Sequence, residues 1–327
     1  MTQILITVDT ELSALLHLRG TALAANFTSS INGECEGGSF GIGWQMDRME
    51  ARGLKGVFFV DPLPSLVYGE AWLTDVVELI ISRGHEVQLH IHTEWLAWAN
   101  KSPVDGRLGQ NLANFCLEDQ RVLLGIAIDL LMRAGAPKPT AFRAGNYGAD
   151  DNSLRVLAEL GLVWDSSVNA PYLGGACQIG LSADQVGAIE RHGIVEVPVA
   201  GLNDRAGHVR PVQICALSAR EMQGALSHAA DHQHAAFVIV THSFEMLSRD
   251  RKRANRVVIA RFEAMCDAIA AHPQLVSAGF NDLDAAELIR IREEQPTRLS
   301  PNRLRTLARM AEQAVATWCY ERQLRPV

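Results

Sequence analysis

Short apolar runs rich in β-branched and aromatic residues alternate with longer stretches of helical spacing along most of this chain. Strands are predicted at residues 4–8, 56–60, 86–91, 141–143, 162–164, 194–198, 212–215 and 236–240, and the last long helix leads into the apolar stretch 275–278. Helices are predicted at 71–83, 118–134, 153–160, 218–228 and 251–271. Gly84 and Gly161 punctuate two of these helices as C-terminal caps, Gly135 and Pro137 stop another, and Asp150 or Asp151 caps the start of a fourth. Strands that are apolar on both faces and separated by helices imply a parallel sheet covered by helices. Seven or eight strands of this kind point to a closed α/β barrel rather than an open sheet.

The barrel is expected over residues 1–282, and 283–327 changes character. There, 285–294 and 304–322 read as arginine-rich helices, an appendage that packs on the barrel or joins copies into a homo-oligomer. Residues 171–191 read as a long loop near the site, and the glycines at 37, 38, 41 and 43 as a mobile loop. That loop lacks the lysine of a phosphate-binding P-loop.

With 327 residues, 48% of them apolar, the chain can bury a large core. Its 30 basic and 37 acidic side chains leave a net charge of −7, without the basic footprint of a nucleic-acid binder. No apolar run reaches the ~20 residues that cross a bilayer. The amino terminus carries no basic segment or cleavage site of a signal peptide. Six scattered cysteines, none in a CxxC pair, fit reduced thiols in a cytoplasmic enzyme.

In parallel α/β folds the chemistry gathers where strands end. The first strand here leads into Asp9 and Glu11, and the third into His90, His92 and Glu94. Later strands lead into Arg143, Asp165 and His242. Asp9 or Glu11 alone would pass for a helix cap, and His242 alone for packing. His90 and His92 alternate along a strand and so share a face. With Glu94 two residues on, they supply the nitrogen and oxygen donors that suit zinc, iron or manganese. Together the strand ends hold the inventory of a metal hydrolase.

At these positions the sequence resembles the polysaccharide deacetylase family, the NodB homology domain of carbohydrate esterase family 4. The family's Thr-Phe-Asp-Asp is similar to Thr7-Val8-Asp9-Thr10, with Glu11 following. Its Gly-His-Glu-Ile-x-x-His-x-x-x-His resembles Gly84-His85-Glu86-Val87-Gln88-Leu89-His90, with Glu94 in the place of the last histidine. Its Arg-x-Pro resembles Arg143-Ala144-Gly145, its aspartate Asp165, and its Leu-x-His Val240-Thr241-His242. The likeness spans about residues 3–280 and is nearest to the branch associated with O-antigen and other surface glycans.

The resemblance implies a deformed (β/α) barrel with one divalent metal, zinc first, then iron, cobalt, nickel or manganese. It implies removal of an N-acetyl group from an amino sugar of a cell-surface glycan or its precursor. Thr10 stands where a ligand is usual, so Asp9-x-Glu11 makes Glu11 the metal ligand, beside His90 and either His92 or Glu94. Asp9 is then the general base, paired with Arg143, and His242 the general acid, held by Asp165. Trp95 and Tyr147 are the aromatic candidates for sugar contact. A deformylase or allantoinase-like amidohydrolase would use the same groups on another small amide. A protein that binds sugar without cleaving it is the alternative from outside enzymology.

Overall fold

The computed structural model describes residues 1–205, 207–290 and 296–321. The chain divides into two compact units: Met1–Gly56 with Ala200–Ser277 and Pro296–Val327, and Val57–Val199 with Ala278–Gln295. Three parallel-pairing strands belong to the first unit and five to the second, so the α/β reading and the expected strand number hold. This is the curled, mostly parallel sheet of a deformed (β/α) barrel.

In the first unit, strand Thr2–Thr10 pairs in parallel with Ala236–His242 along one edge, from Gln3 opposite Ala236 to Asp9 opposite His242. It also pairs in parallel with Leu275–Ser277. Ile4, Leu5, Ile6 and Val8 are buried, as are Val238, Ile239 and Val240. Burial on both faces explains why these strands read as unbroken apolar runs rather than alternating ones. Leu5→Ala is expected to cost about 2–5 kcal/mol in denaturant unfolding, because the fully buried site would keep a cavity.

In the second unit the parallel order runs Gly56–Val60, Glu86–Ile91, Ala141–Ala144, Trp164–Asp165, Ile194–Glu196. Helix Ala71–Ser82 ends as its sequence predicts, with Gly84 at φ 75°, a conformation glycine adopts without a Cβ clash. Helix Leu117–Arg133 follows, and helix Asp151–Glu159 starts at Asp150, whose carboxylate accepts the Ser153 N–H at 2.9 Å.

The structure corrects several local expectations. Residues 212–215 form no strand: Gln213 makes one isolated bridge to Val240, and the chain turns at once through Ala216 N–H to the Gln213 carbonyl. The long helix spans Arg256–Ala271 and not 251–271, because Asn255 caps it and Arg251 sits at φ 59° in the turn before. The glycine-rich stretch is a short hairpin, Glu34–Cys35 against Gly38–Ser39. Three further strands have no counterpart in the sequence reading: Ile189–Arg191, antiparallel to Ile194–Glu196, and the hairpin Gly201–Arg205 with His208–Pro211. All are short and carry mixed polar residues, so they lack the apolar signature of the others.

Towards the carboxyl end, helices Ala285–Arg290 and Arg303–Ala316 form, while 291–294 and 322 lie outside the described residues. The second of these docks within the first unit through Arg309, which bonds Glu221 at 3.0 Å and Asp204 at 2.8 Å. Its Leu304, Leu307, Met310 and Val315 are exposed. No described helix is long and apolar enough to cross a membrane. All six cysteines are free thiols.

Candidate active site

In the first unit, the ends of two paired strands bring Asp9 and His242 into register. The Ser243 N–H donates to the Asp9 carbonyl at 2.9 Å, which carries the pairing one residue beyond the strand. Gln45 donates to the carbonyls of His242 (3.0 Å) and Ser243 (3.3 Å) and fixes this corner. Asp9 is buried and Glu11 half-buried. Between them Thr10 turns its hydroxyl back to donate to the Val8 carbonyl at 3.1 Å, in keeping with its poor prospects as a ligand.

The sequence reading missed Glu245. One of its carboxylate oxygens accepts the His242 backbone N–H at 2.9 Å and lies 3.4 Å from the imidazole Nδ1. Burial pulls the His242 pKa down, but the bond and charge of Glu245 and the charges of Asp9 and Glu11 outweigh it and lift the value to about 9. Despite its own burial, Glu245 is held below the usual carboxylate range, chiefly by its bond to His242 and that imidazole's charge. The spacing was available: an acid three residues after a strand-end histidine reaches back across a tight turn, as the Glu245 N–H does to the His242 carbonyl (3.2 Å).

In the second unit, His90 and His92 lie edge to face with ring centres 4.9 Å apart. The Nδ1 of His90 is 2.7 Å from the Arg143 carbonyl. A carbonyl only accepts, so Nδ1 carries the hydrogen, the tautomer common behind imidazoles that bind metal through Nε2. The His92 Nδ1 is 3.3 Å from Glu94 Oε2. Gly145 permits this packing. A Cβ there would lie 2.8 Å from the His92 ring and 2.6 Å from the Ile91 carbonyl, which accounts for Arg143-Ala144-Gly145. Two imidazoles prepared in this way suit a borderline divalent ion.

Arg143 is fully buried, stacks its guanidinium 4.3 Å from the Phe59 ring centre, and donates to the Ser166 carbonyl and hydroxyl, both at 3.2 Å. Asp165 accepts from the Ser167 hydroxyl (2.7 Å) and backbone N–H (3.1 Å), and stands in register with Glu196. Both acids are fully buried. Burial pushes both carboxyls up, Glu196 well above the carboxylate range with the Asp165 charge added to its burial.

Asn146 and Tyr147 follow Arg143-Ala144-Gly145 in consecutive left-handed conformations, φ 54° and 58°. Strain of this kind persists where the surroundings impose it, commonly at functional sites. The Tyr147 ring packs on Tyr172 with centres 4.8 Å apart. Trp95 is fully buried between Tyr68 and Trp98, both of them half-buried.

No protein-family model and no curated protein matches the sequence. Solved structures do. A Mycobacterium smegmatis protein assigned by its name to the polysaccharide deacetylases is 16% identical over 92% of this chain and 94% of its own, with a TM-score of 0.57. The 4-alpha-glucanotransferase of Thermococcus litoralis is 11% identical, with a TM-score of 0.50, over 92% of this chain and 42% of its own. A family 4 carbohydrate esterase from Streptomyces lividans, solved with acetate, is 10% identical over 92% of this chain and 98% of its own, at a TM-score of 0.43. The first two likenesses show a shared fold. The resemblance drawn from the motifs is therefore met at the level of fold.

Proposed function

We propose that the protein is a metal-dependent hydrolase that removes the N-acetyl group from an amino sugar of a surface glycan or its precursor. The observation that carries this reading is the pair of imidazoles at one strand end, His90 with its Nδ1 2.7 Å from the Arg143 carbonyl and His92 edge to face with it. His90 and His92 would hold the ion, with Glu11 as the further ligand that the Asp9-x-Glu11 motif implies. Glu94, beside His92, orients that ring instead of serving as a ligand. Zinc is the metal this donor set favours. A bound divalent ion would polarise the acyl carbonyl and lower the pKa of a water from about 15.7 towards ~7.

This chain's own groups do the remaining work. Asp9 takes the proton from the attacking water. Arg143, fixed in the core, is the residue that the motifs pair with that carboxylate. The His242 imidazolium, held by Glu245, gives a proton to the departing amine, which leaves poorly until protonated. Asp165, which the motifs assign to the support of His242, is itself held by Ser167. Tyr147 would contribute to the sugar subsite, with Trp95 buried behind the half-buried Trp98.

The test couples metal analysis with acetate release. The purified protein is expected to hold about one divalent ion, to release acetate from an N-acetylated amino sugar, and to lose both with His90→Ala. Formate in place of acetate would move the reading to a deformylase. Failure of metal-loaded protein to act on a panel of N-acetylated sugars and oligosaccharides would overturn it.

A further inference from the structure

Within the first unit a cleft of ≈ 1210 Å³ opens beside Glu245, the residue that holds His242. Its lining is cationic. Arg249, Arg251 and Lys252 come from the turn before the long helix, Arg19 from the end of the first helix, and Arg261 from the long helix itself. Three carboxylates share the lining, and each has a local task. Glu245 serves His242, and Asp250 accepts the Ser248 hydroxyl (2.6 Å) and the Lys252 backbone N–H (3.1 Å). Glu34 accepts from the Asn32 amide at 3.2 Å. Among the described residues, Arg19, Arg249, Arg251 and Lys252 form no ion pair with a carboxylate.

Two arginines are built in rather than splayed into solvent. The Arg251 guanidinium lies 4.1 Å from the Phe244 ring centre and donates to the Ser30 hydroxyl at 2.7 Å. Arg261 is 4% exposed, bonds Glu312 through Nε (2.5 Å), and donates through Nη1 to the Cys215 carbonyl at 3.0 Å. Its Nη2 is buried and has no acceptor. A buried guanidinium donor without an acceptor is costly, and it belongs to a side chain that lines the cleft.

The occupant these features fit carries more than one anionic group, each with several acceptor oxygens, because the cations come from separate elements. Phosphoryl groups meet that description and match the guanidinium fork. A neutral glycan would instead call for open aromatic platforms. Phe244 is the one aromatic in the lining, and Arg251 covers its face.

We propose that this cleft holds the diphosphate of the substrate, so that the acetylated amino sugar reaches His242 as a glycosyl diphosphate rather than as part of a neutral polymer. This inference rests on the deacetylase reading. A nucleoside diphosphate sugar and a polyprenyl diphosphate sugar share the chemistry, and the experiment separates them.

Inorganic pyrophosphate is titrated calorimetrically into the full-length protein and into His90→Ala, Arg249→Glu and Arg251→Met. Saturable binding is expected in the wild type and in His90→Ala, which separates the cleft from chelation by a site metal. Binding should weaken at least tenfold in both arginine variants. Arg249 is exposed, so Arg249→Glu keeps the test valid if Arg251→Met fails to fold. No binding by the wild type, or binding lost in His90→Ala and kept in the arginine variants, would overturn the assignment. Acetate release is then compared for UDP-N-acetylglucosamine, undecaprenyl diphosphate N-acetylglucosamine and chitotetraose. A kcat/KM more than tenfold above chitotetraose for either diphosphate supports the inference and names the source. Preference for chitotetraose, unchanged in Arg249→Glu, removes the cleft from the reaction and leaves deacetylation standing. Absence of acetate in every arm strikes the deacetylase reading, while the pyrophosphate titration still decides whether the cleft binds diphosphate.

Discussion

Asp9→Asn is expected to lower acetate release by about 10²–10⁴-fold, the range that a lost general base commands. The substitution is nearly isosteric. The backbone at this position is fixed independently of the side chain, by its register opposite His242 and by the Ser243 N–H on its carbonyl. The buried site should therefore hold an amide with little change in unfolding midpoint. An amide oxygen still accepts a hydrogen bond but does not take a proton at neutral pH, so the loss should fall on kcat and leave KM nearly unchanged. Single-turnover and steady-state assays beside a melting curve make the check. Full turnover in a folded Asp9→Asn protein would move the role of base to another group.

The strands that position Asp9 and His242 were legible because each is buried through most of its length on both faces, which forces a continuous apolar run ending abruptly in polar residues. Gly84 and Asp150 were legible for stereochemical reasons, a left-handed cap and a side-chain acceptor for an orphan N–H. The pairing of His90 with His92 followed from the two-residue period of a strand. Glu245 and Glu196 were not legible, although one holds the imidazole and the other is buried in register with Asp165. Their roles depend on a turn that folds back and on a strand neighbour 31 residues away in sequence, Asp165 opposite Glu196. No local pattern records either. The same limit applies to Gly145, whose need is set by the His92 ring from another strand. The cationic cleft was beyond reach for a different reason. Its arginines are scattered from Arg19 to Arg261, in a chain whose net charge of −7 argues, on average, for the opposite sign.

Glu245→Gln should show how the acid is tuned. His242 carries its proton up to about pH 9 because the Glu245 bond and charge, with Asp9 and Glu11, overcome burial. A general acid acts only while protonated, so activity should be kept below that value and lost as the pH rises through it. A cation bound at Glu11 cancels part of the supporting charge, which sets the limb of the metal-loaded enzyme below 9. Glutamine keeps the shape and still accepts the His242 backbone N–H, yet removes the formal charge facing Nδ1. The alkaline limb of kcat should therefore move down by about one pH unit or more, since one unit corresponds to about 1.4 kcal/mol of lost stabilisation of the imidazolium. The same linkage reaches stability. A raised histidine pKa stabilises the fold fully below the unfolded value of about 6.5, and the contribution fades as the pH climbs through the folded value. Wild type and variant should thus differ most in unfolding free energy near pH 6 and converge above pH 9. Identical pH–rate limbs in the two proteins would mean that Glu245 positions the chain without governing the proton, and His242 would lose its place as the acid.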